Sequence, residues 1–390
     1  MSMRYRSFAN KALFCSLILT ACVFLSQPLL AYKATDFNWI PPFLARDEKP
    51  SIIIILDNSG SMLQRAYTES FNSSREYYGY FDPRTYYTYS STSYFQPNNA
   101  TGTWNGNWLN WATMHRCDVA RKVLGGGNYN SGYYWIENQD SANRVDSFSY
   151  VDNAVVDLNG DTKKMTPYAS LRYIDHEPSS QTMSMETKTY SYSSWADRSF
   201  RMRVQGPSKE GVLHAFKDKS RMALFVYDYD DGAQVRHYMS EDVNTLNNLI
   251  NTVNTVDPTT WTPLAESLYT VYGYIKQDTA GGTYGPRYLY NTSYATSTTN
   301  DPYYFPALGQ DVHCTQQNVI LITDGESTQD QAIPSSIRNR VNPKPHTYSL
   351  SDNGSPYLID VAHWGQTTDL RSDLQGTQNV DFYAVFAFGR

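Results

Sequence analysis

Four isoleucines stand in a row near the front of this chain, in Ser51-Ile52-Ile53-Ile54-Ile55-Leu56, and the sequence then turns polar at once with Asp57-Asn58-Ser59-Gly60-Ser61. An unbroken apolar run, rather than an alternating one, predicts a strand covered on both faces, as in a parallel sheet flanked by helices. Consecutive β-branched residues disfavour a helix here. Helical spacing appears over 108–124, where Trp111, Met114, Val119, Val123 and Leu124 share one face and Gly125, Gly126 and Gly127 end the element. A helix over 209–218 leads into a strand over 220–229. Asp230-Asp231-Gly232 is a hairpin signal, and 234–239 is the partner strand. Residues 244–253 are helical. Pro263 suits the first turn of a helix whose buried stripe is Leu264, Leu268, Val271, Tyr272 and Ile275. A second buried strand, 318–323, ends at Asp324-Gly325, and a helix over 358–365 precedes a strand over 380–388. Strands alternating with helices around one hairpin predict an α/β fold: a doubly wound, mostly parallel sheet with one antiparallel edge strand.

Three stretches stand apart: about 65–107, which lacks any period, 128–206, which carries short strand-like pieces, and 281–312. They hold most of the 33 Tyr, mixed with Ser, Thr, Asn and Gly, and read as long insertions ordered in part by their aromatic residues. They serve either as binding surface, since Tyr is favoured at interfaces, or as solvated filler. Within the second, Asp157-Leu158-Asn159-Gly160-Asp161 resembles the start of a calcium loop. However, Thr162 and Tyr168 stand where that loop needs Gly and Glu, so the segment reads as a turn.

The first residues read as a targeting segment. Arg4, Arg6 and Lys11 precede an apolar stretch over 12–31, and Leu29-Leu30-Ala31 fits a signal-peptidase site. This gives a signal peptide over 1–31, a linker over 32–50 and a domain over 51–390. Leu19-Thr20-Ala21-Cys22 also looks like a lipoprotein box, but the apolar run continues past Cys22. As a membrane anchor the stretch is marginal in length. Export, to the periplasm, outer membrane or cell surface, implies an oxidising compartment. For Cys117 and Cys314 a disulfide and two buried thiols both stay open. The formal net charge is −6, with no basic block. That argues against a nucleic-acid partner, which requires a basic patch.

The chemistry concentrates where the buried strands end. Strands 51–56 and 318–323 both run into an acid, Asp57 and Asp324. If they are parallel neighbours, both acids face one crevice beyond the carboxyl ends of the sheet, where ligands of such folds sit. Two carboxylates there repel, and a cation between them relieves the repulsion. Ser59 and Ser61 can point inward together, and Thr262 supplies a third hydroxyl. Hard oxygen donors suit Mg2+ first, with Ca2+ or Mn2+ as alternatives. Few direct carboxylates would leave the ion open to a carboxylate from a partner.

In this order, Asp57-x-Ser59-x-Ser61, Thr262-Pro263-Leu264 and Thr323-Asp324-Gly325 resemble the metal-ion-dependent adhesion site of von Willebrand factor A domains. The resemblance implies that Ser59, Ser61 and Thr262 are ligands, directly or through water, and that Asp57 and Asp324 act largely through water. Three further stretches, from Asn107, from Ser208 and from Tyr357, resemble the PilY family of type IV pilus biogenesis and tip-associated adhesins. What this implies is an exported, metal-dependent binding protein acting in pilus assembly and surface adhesion. Its partner, a pilus component or a host or surface receptor, donates a carboxylate; no small-molecule substrate is implied. Members also carry a further strand and a large C-terminal propeller, so the chain is expected to be the N-terminal part of such a protein. A general adhesin without a pilus role is the alternative. A cytoplasmic metal-insertion partner conflicts with the export signal. A hydrolase is disfavoured, because the serines lack a Gly-x-Ser-x-Gly setting and the sequence places no His beside them. No phosphate loop is present: Gly125-Gly126-Gly127 lacks the following Lys.

Overall fold

A computed structural model of the chain describes residues 49–136 apart from 70, 91–93 and 103. It also describes 170–177, 182–188, 196–278 apart from 230–231, and 300–388 apart from 345–349. The leader and the 157–161 turn lie outside these residues. Among the described residues, no helix is long and apolar enough to cross a membrane.

β1 (Ser51–Leu56) is the middle of a five-stranded sheet. On one side it pairs in parallel with β2 (Arg221–Tyr227), which turns back into the antiparallel edge strand β3 (Ala233–Ser240). On the other side it pairs in parallel with β4 (Gln317–Thr323), and β4 pairs in parallel with β5 (Val380–Phe386). The protein is therefore mixed α/β, with parallel and antiparallel pairing in one sheet.

Both faces of the sheet are covered at β1 and β2, which is why β1 carries no polar alternation, whereas Tyr383, Val385 and Phe386 of the edge strand β5 are exposed. Ile53 and Ile55, with Ala223, Phe225, Val319 and Leu321, pack against α5 (Leu264–Lys276) and α6 (Leu358–Thr367). Ile54 and Leu56, with Met222, Leu224 and Val226, face the other way. There they meet Leu124 of α2 (Arg116–Gly125), Leu213 of α3 (Val212–Phe216) and the apolar side of α4 (Val243–Thr255). Each such side chain removed from water contributes about 1.5–3 kcal/mol. The predicted stripe Leu264, Leu268, Val271, Tyr272 and Ile275 is wholly buried. Pro263 stands just before the first helical residue of α5 rather than inside its first turn.

The helix expected over 108–124 is two helices, α1 (Gly106–Thr113) and α2, separated by an extended Met114–His115 step. The reason is tertiary. The chain leaving the site after β1 runs beside this step, with Ala66 N donating to Met114 O (2.9 Å) and Arg116 N to Gln64 O (3.0 Å). The Asp118 carboxylate then takes up the His115 N–H as a cap (3.2 Å). Val123, expected on the buried face, is exposed, while Trp111 and Met114 belong to a different core from Leu124.

That second core explains the silent insertions. The 65–107 and 128–206 stretches meet in one six-stranded sheet whose edge-to-edge order is Trp104–Asn105, Tyr86–Ser90, Tyr94–Pro97, Arg203–Gln205, Tyr133–Trp135, Tyr129–Asn130. The strands of this sheet, two to five residues long, are too short to display a period; the 128–206 stretch also holds a separate three-stranded antiparallel sheet, Ser170–Glu177, Thr182–Lys188 and Ala196–Arg201. Order comes instead from rings in edge-to-face contact: Phe81 on Phe95 (5.4 Å) and Phe95 on Trp104 (5.5 Å). Of the third insertion, residues 300–312 are described. Arg221 ties them to the main sheet by donating to Pro302 O (2.7 Å) and Tyr304 O (2.6 Å), with its guanidinium over the Phe305 ring.

The glycine run ends α2 as expected, with Gly126 left-handed at φ 92 and its N–H bonded to Lys122 O. A Cβ at Gly126 would lie 1.9 Å from Lys209 O. Gly126→Ala is expected to destabilise the protein by about 2 kcal/mol or more, from left-handed strain and this clash together. A urea midpoint equal to wild type would contradict that account.

Candidate metal centre

The parallel pairing of β1 and β4 sets Leu56 opposite Ile322, so Asp57 and Asp324 leave the sheet at the same end. Asp57 N still donates to Ile322 O (2.9 Å), and its side chain is buried immediately beyond Leu56, the last residue of the strand. Asp57 Oδ1 accepts from Ser59 N (2.7 Å) and Ser59 Oγ (2.5 Å). Oδ2 accepts from Thr323 Oγ1 (2.6 Å) and Asp324 N (3.2 Å). A short 3-10 turn, Gly60–Leu63, brings Ser61 back toward the strand ends. Its Oγ lies 2.9 Å from Ser59 Oγ and donates to Asp324 Oδ1 (2.7 Å). Asp57, Ser59, Ser61 and Asp324 thus form one hydrogen-bonded chain.

Thr262 arrives by a separate route, governed by Asn58. The Asn58 carbonyl oxygen accepts from Thr259 N (2.8 Å) and Thr260 N (3.1 Å), and its Oδ1 accepts from Tyr227 N (2.8 Å) at the end of β2. Gly60 N donates to Thr260 O (2.9 Å). These bonds hold 259–262 against the loop after β1. Thr328 then fixes Thr262 from the far side, its Oγ1 accepting from Thr262 N (2.8 Å). Thr262 lines a cleft of about 480 Å³ together with Ser59, Ser61 and Gly325, with Trp261 and Tyr229 at its rim. Beneath it Asp330 caps α5, accepting from Ala265 N (3.1 Å) and Glu266 N (2.9 Å).

Residues 68–204 match the family model described as PilY1 homolog, small alpha/beta domain. That segment of the chain is similar to the PilY1-homolog domain. No curated protein and no solved structure matches it. The matched segment is the aromatic unit with α1 and α2. It contains none of the five candidate donors, which lie before and after it.

One residue of the matched segment does reach the site. Arg116, the first residue of α2, donates from Nη1 to Asp324 Oδ2 (2.8 Å), and the Asp324 side chain is fully buried. Sequence reasoning passed over Arg116, together with Asn58, Thr323 and Thr328. A signal for Arg116 existed: a cation at the N-terminal end of a helix opposes the helix dipole, so it asks for an acidic partner.

The donor set suits a hard divalent cation. Among the described residues, no group of three or more His, Cys, Asp or Glu could hold a metal, so a cation here would rest on two carboxylates and three hydroxyls. Proton counting supports the fit. The Ser59 and Ser61 hydroxyls have two protons between them and three contacts to serve: Asp57, Asp324 and each other. With both protons turned to the carboxylates, the two serine oxygens face each other with lone pairs only, an arrangement a cation would relieve.

Burial, and then the charge of Asp324, push the Asp57 carboxyl up from 3.8 to about 6, against the pull of its bonds from Ser59 and Thr323. The folded protein therefore holds this proton more tightly than the unfolded chain does. The stability this contributes is fully present below 3.8 and is lost as pH rises through about 6. Asp330, pushed up to about 7 by burial, acts with the same sign. In chelator-treated protein, the melting temperature is expected to fall between about pH 4 and pH 7. Asp57→Asn should show a smaller fall, since only Asp330 then contributes. Identical falls in the two proteins would rule out an elevated Asp57.

Proposed function

We propose that Asp57, Ser59, Ser61, Thr262 and Asp324 hold a divalent cation, Mg2+ first and Ca2+ or Mn2+ otherwise, in a doubly wound von Willebrand factor A-type domain. The protein is an exported binding protein rather than an enzyme, and it acts in type IV pilus assembly and tip-mediated adhesion. The observation that carries the metal reading is that Ser59, Ser61 and Thr262 line one cleft while two carboxylates from positions 267 apart in sequence, Asp57 and Asp324, bond the two serine hydroxyls from behind. The pilus reading is supported by the PilY1-homolog match over 68–204. The sheet order, with one antiparallel edge beside parallel strands and helices on both faces, supports the domain type.

In this reading the chain's residues have separate tasks. Ser59, Ser61 and Thr262 present oxygens toward the cleft. Asp57 holds Ser59 through two bonds and Asp324 holds Ser61 through one, so the carboxylates orient the hydroxyls while lending charge. The bound cation would supply a Lewis-acidic position for an oxygen of the partner. Trp261 and Tyr229, exposed at the rim, would pack beside that partner group. The partner is a protein bearing an accessible carboxylate, either a pilus component or a surface receptor.

Calorimetric titration of Mg2+ into the purified chain is expected to show binding that weakens at least tenfold in Asp57→Ala and in Thr262→Ala. Wild type and Asp57→Ala binding alike would put the cation elsewhere. Deleting the gene is expected to remove surface pili. Cells that keep their pili and lose only attachment would favour an adhesin with no assembly role.

A further inference from the structure

We infer that Arg116 is a built-in competitor for the cation and makes cation binding depend on the partner's carboxylate. The inference rests on the metal reading above and adds a regulatory residue to it. Arg116 lies outside the donor set, on α2, yet its guanidinium bonds Asp324 Oδ2 at 2.8 Å while Ser61 bonds Asp324 Oδ1. Its side chain is only 15% exposed and its partner carboxylate is fully buried, so water screens the pair weakly. Backbone pairing of Gln64 with Arg116 and of Ala66 with Met114 fixes the start of α2 beside the loop that carries Ser59 and Ser61. These bonds hold the Arg116 backbone beside the site and keep its guanidinium within reach of Asp324.

The consequence follows from charge. Asp57, Asp324 and Arg116 together leave one negative charge in excess. A divalent cation turns this into one positive charge in excess, in a buried site, and only an incoming anion restores neutrality. Without Arg116 the cation alone would balance the two carboxylates, and a partner's carboxylate would gain less. Glu326 also lines the cleft, but it is exposed and its charge is solvated. Arg116 thus lowers affinity for the free cation and raises the coupling between the cation and an acidic partner. It also gives the PilY1-homolog segment a direct hold on a site built from residues outside that segment.

The test is Mn2+ titration of the full chain by calorimetry, with and without saturating acetate as the carboxylate probe, in wild type, Arg116→Gln and Arg116→Lys. Arg116→Gln is expected to bind Mn2+ at least tenfold more tightly than wild type. Acetate should tighten Mn2+ binding severalfold in wild type and much less in Arg116→Gln. Arg116→Lys, which keeps the charge, should follow wild type. Equal or weaker Mn2+ binding by a folded Arg116→Gln, with wild type binding normally, would overturn the role of Arg116 and leave the metal site standing. If Arg116→Gln does not fold, a tenfold gain in Arg116→Lys, or no acetate effect on wild type, overturns the inference equally. If no variant binds Mn2+, the metal reading falls and this inference with it.

Discussion

Everything at the candidate site depends on the in-register parallel pairing of β1 with β4. That pairing is what sets two carboxylates, 267 positions apart, on neighbouring strand ends, with the backbone N–H of Asp324 directed at Asp57. It is hard to shift. A one-residue slip would turn Ile53 and Ile55 out of one core and into the other, and both cores are filled. The apolar run is therefore the mechanical support for the acids that follow it. Burial of like charges is tolerated because the fold surrounds them with donors: the Ser59 and Asp324 amides, the Ser59, Ser61 and Thr323 hydroxyls, and the Arg116 guanidinium.

The aromatic unit between β1 and β2 is more than an ornament on this frame. Its six-stranded sheet has strands too short to be stable alone, and its order comes from Trp104, Trp108 and Trp111 packed with Phe81 and Phe95. Gly126 lets Lys209 and the start of the return path pass close by, and α2 contributes Leu124 to the main core. The same helix begins at the site, with Arg116, and is capped by Asp118. A single element thus links the aromatic core, the sheet and the acids, and this is the route by which the aromatic unit can act on the cleft.

Much of this was legible in the chain. The strands 51–56, 220–229 and 318–323, the hairpin partner strand and the stripe of α5 all showed in the spacing of apolar residues, because packing against two layers enforces that spacing. The acids and hydroxyls at the strand ends were legible for the same reason: a polar cluster immediately after a doubly covered strand has to emerge at the sheet's edge. The break between α1 and α2 was not legible. Its cause is the backbone of residues 64–66 pairing across with 114–116, and no property of the 108–124 segment announces a partner fifty residues away. The pairing of the 65–107 and 128–206 stretches in one sheet was hidden too, since strands of two to five residues do not announce their partners.

The sequence by itself determined the chemistry: which oxygens are available, that they are hard, that two are acidic, and that they follow buried strands. Local order is enough for this, because side-chain type and hydrophobic spacing are properties of neighbouring residues. Only the tertiary structure decided the electrostatics. Asp57 is elevated because burial and Asp324 act on it together. The serine protons fall one short because two chains of contacts meet at one place. Arg116 belongs to the site because α2 begins there. Each of these depends on distances between residues far apart in the chain, and Coulomb and desolvation energies are functions of distance and burial, not of order along the sequence.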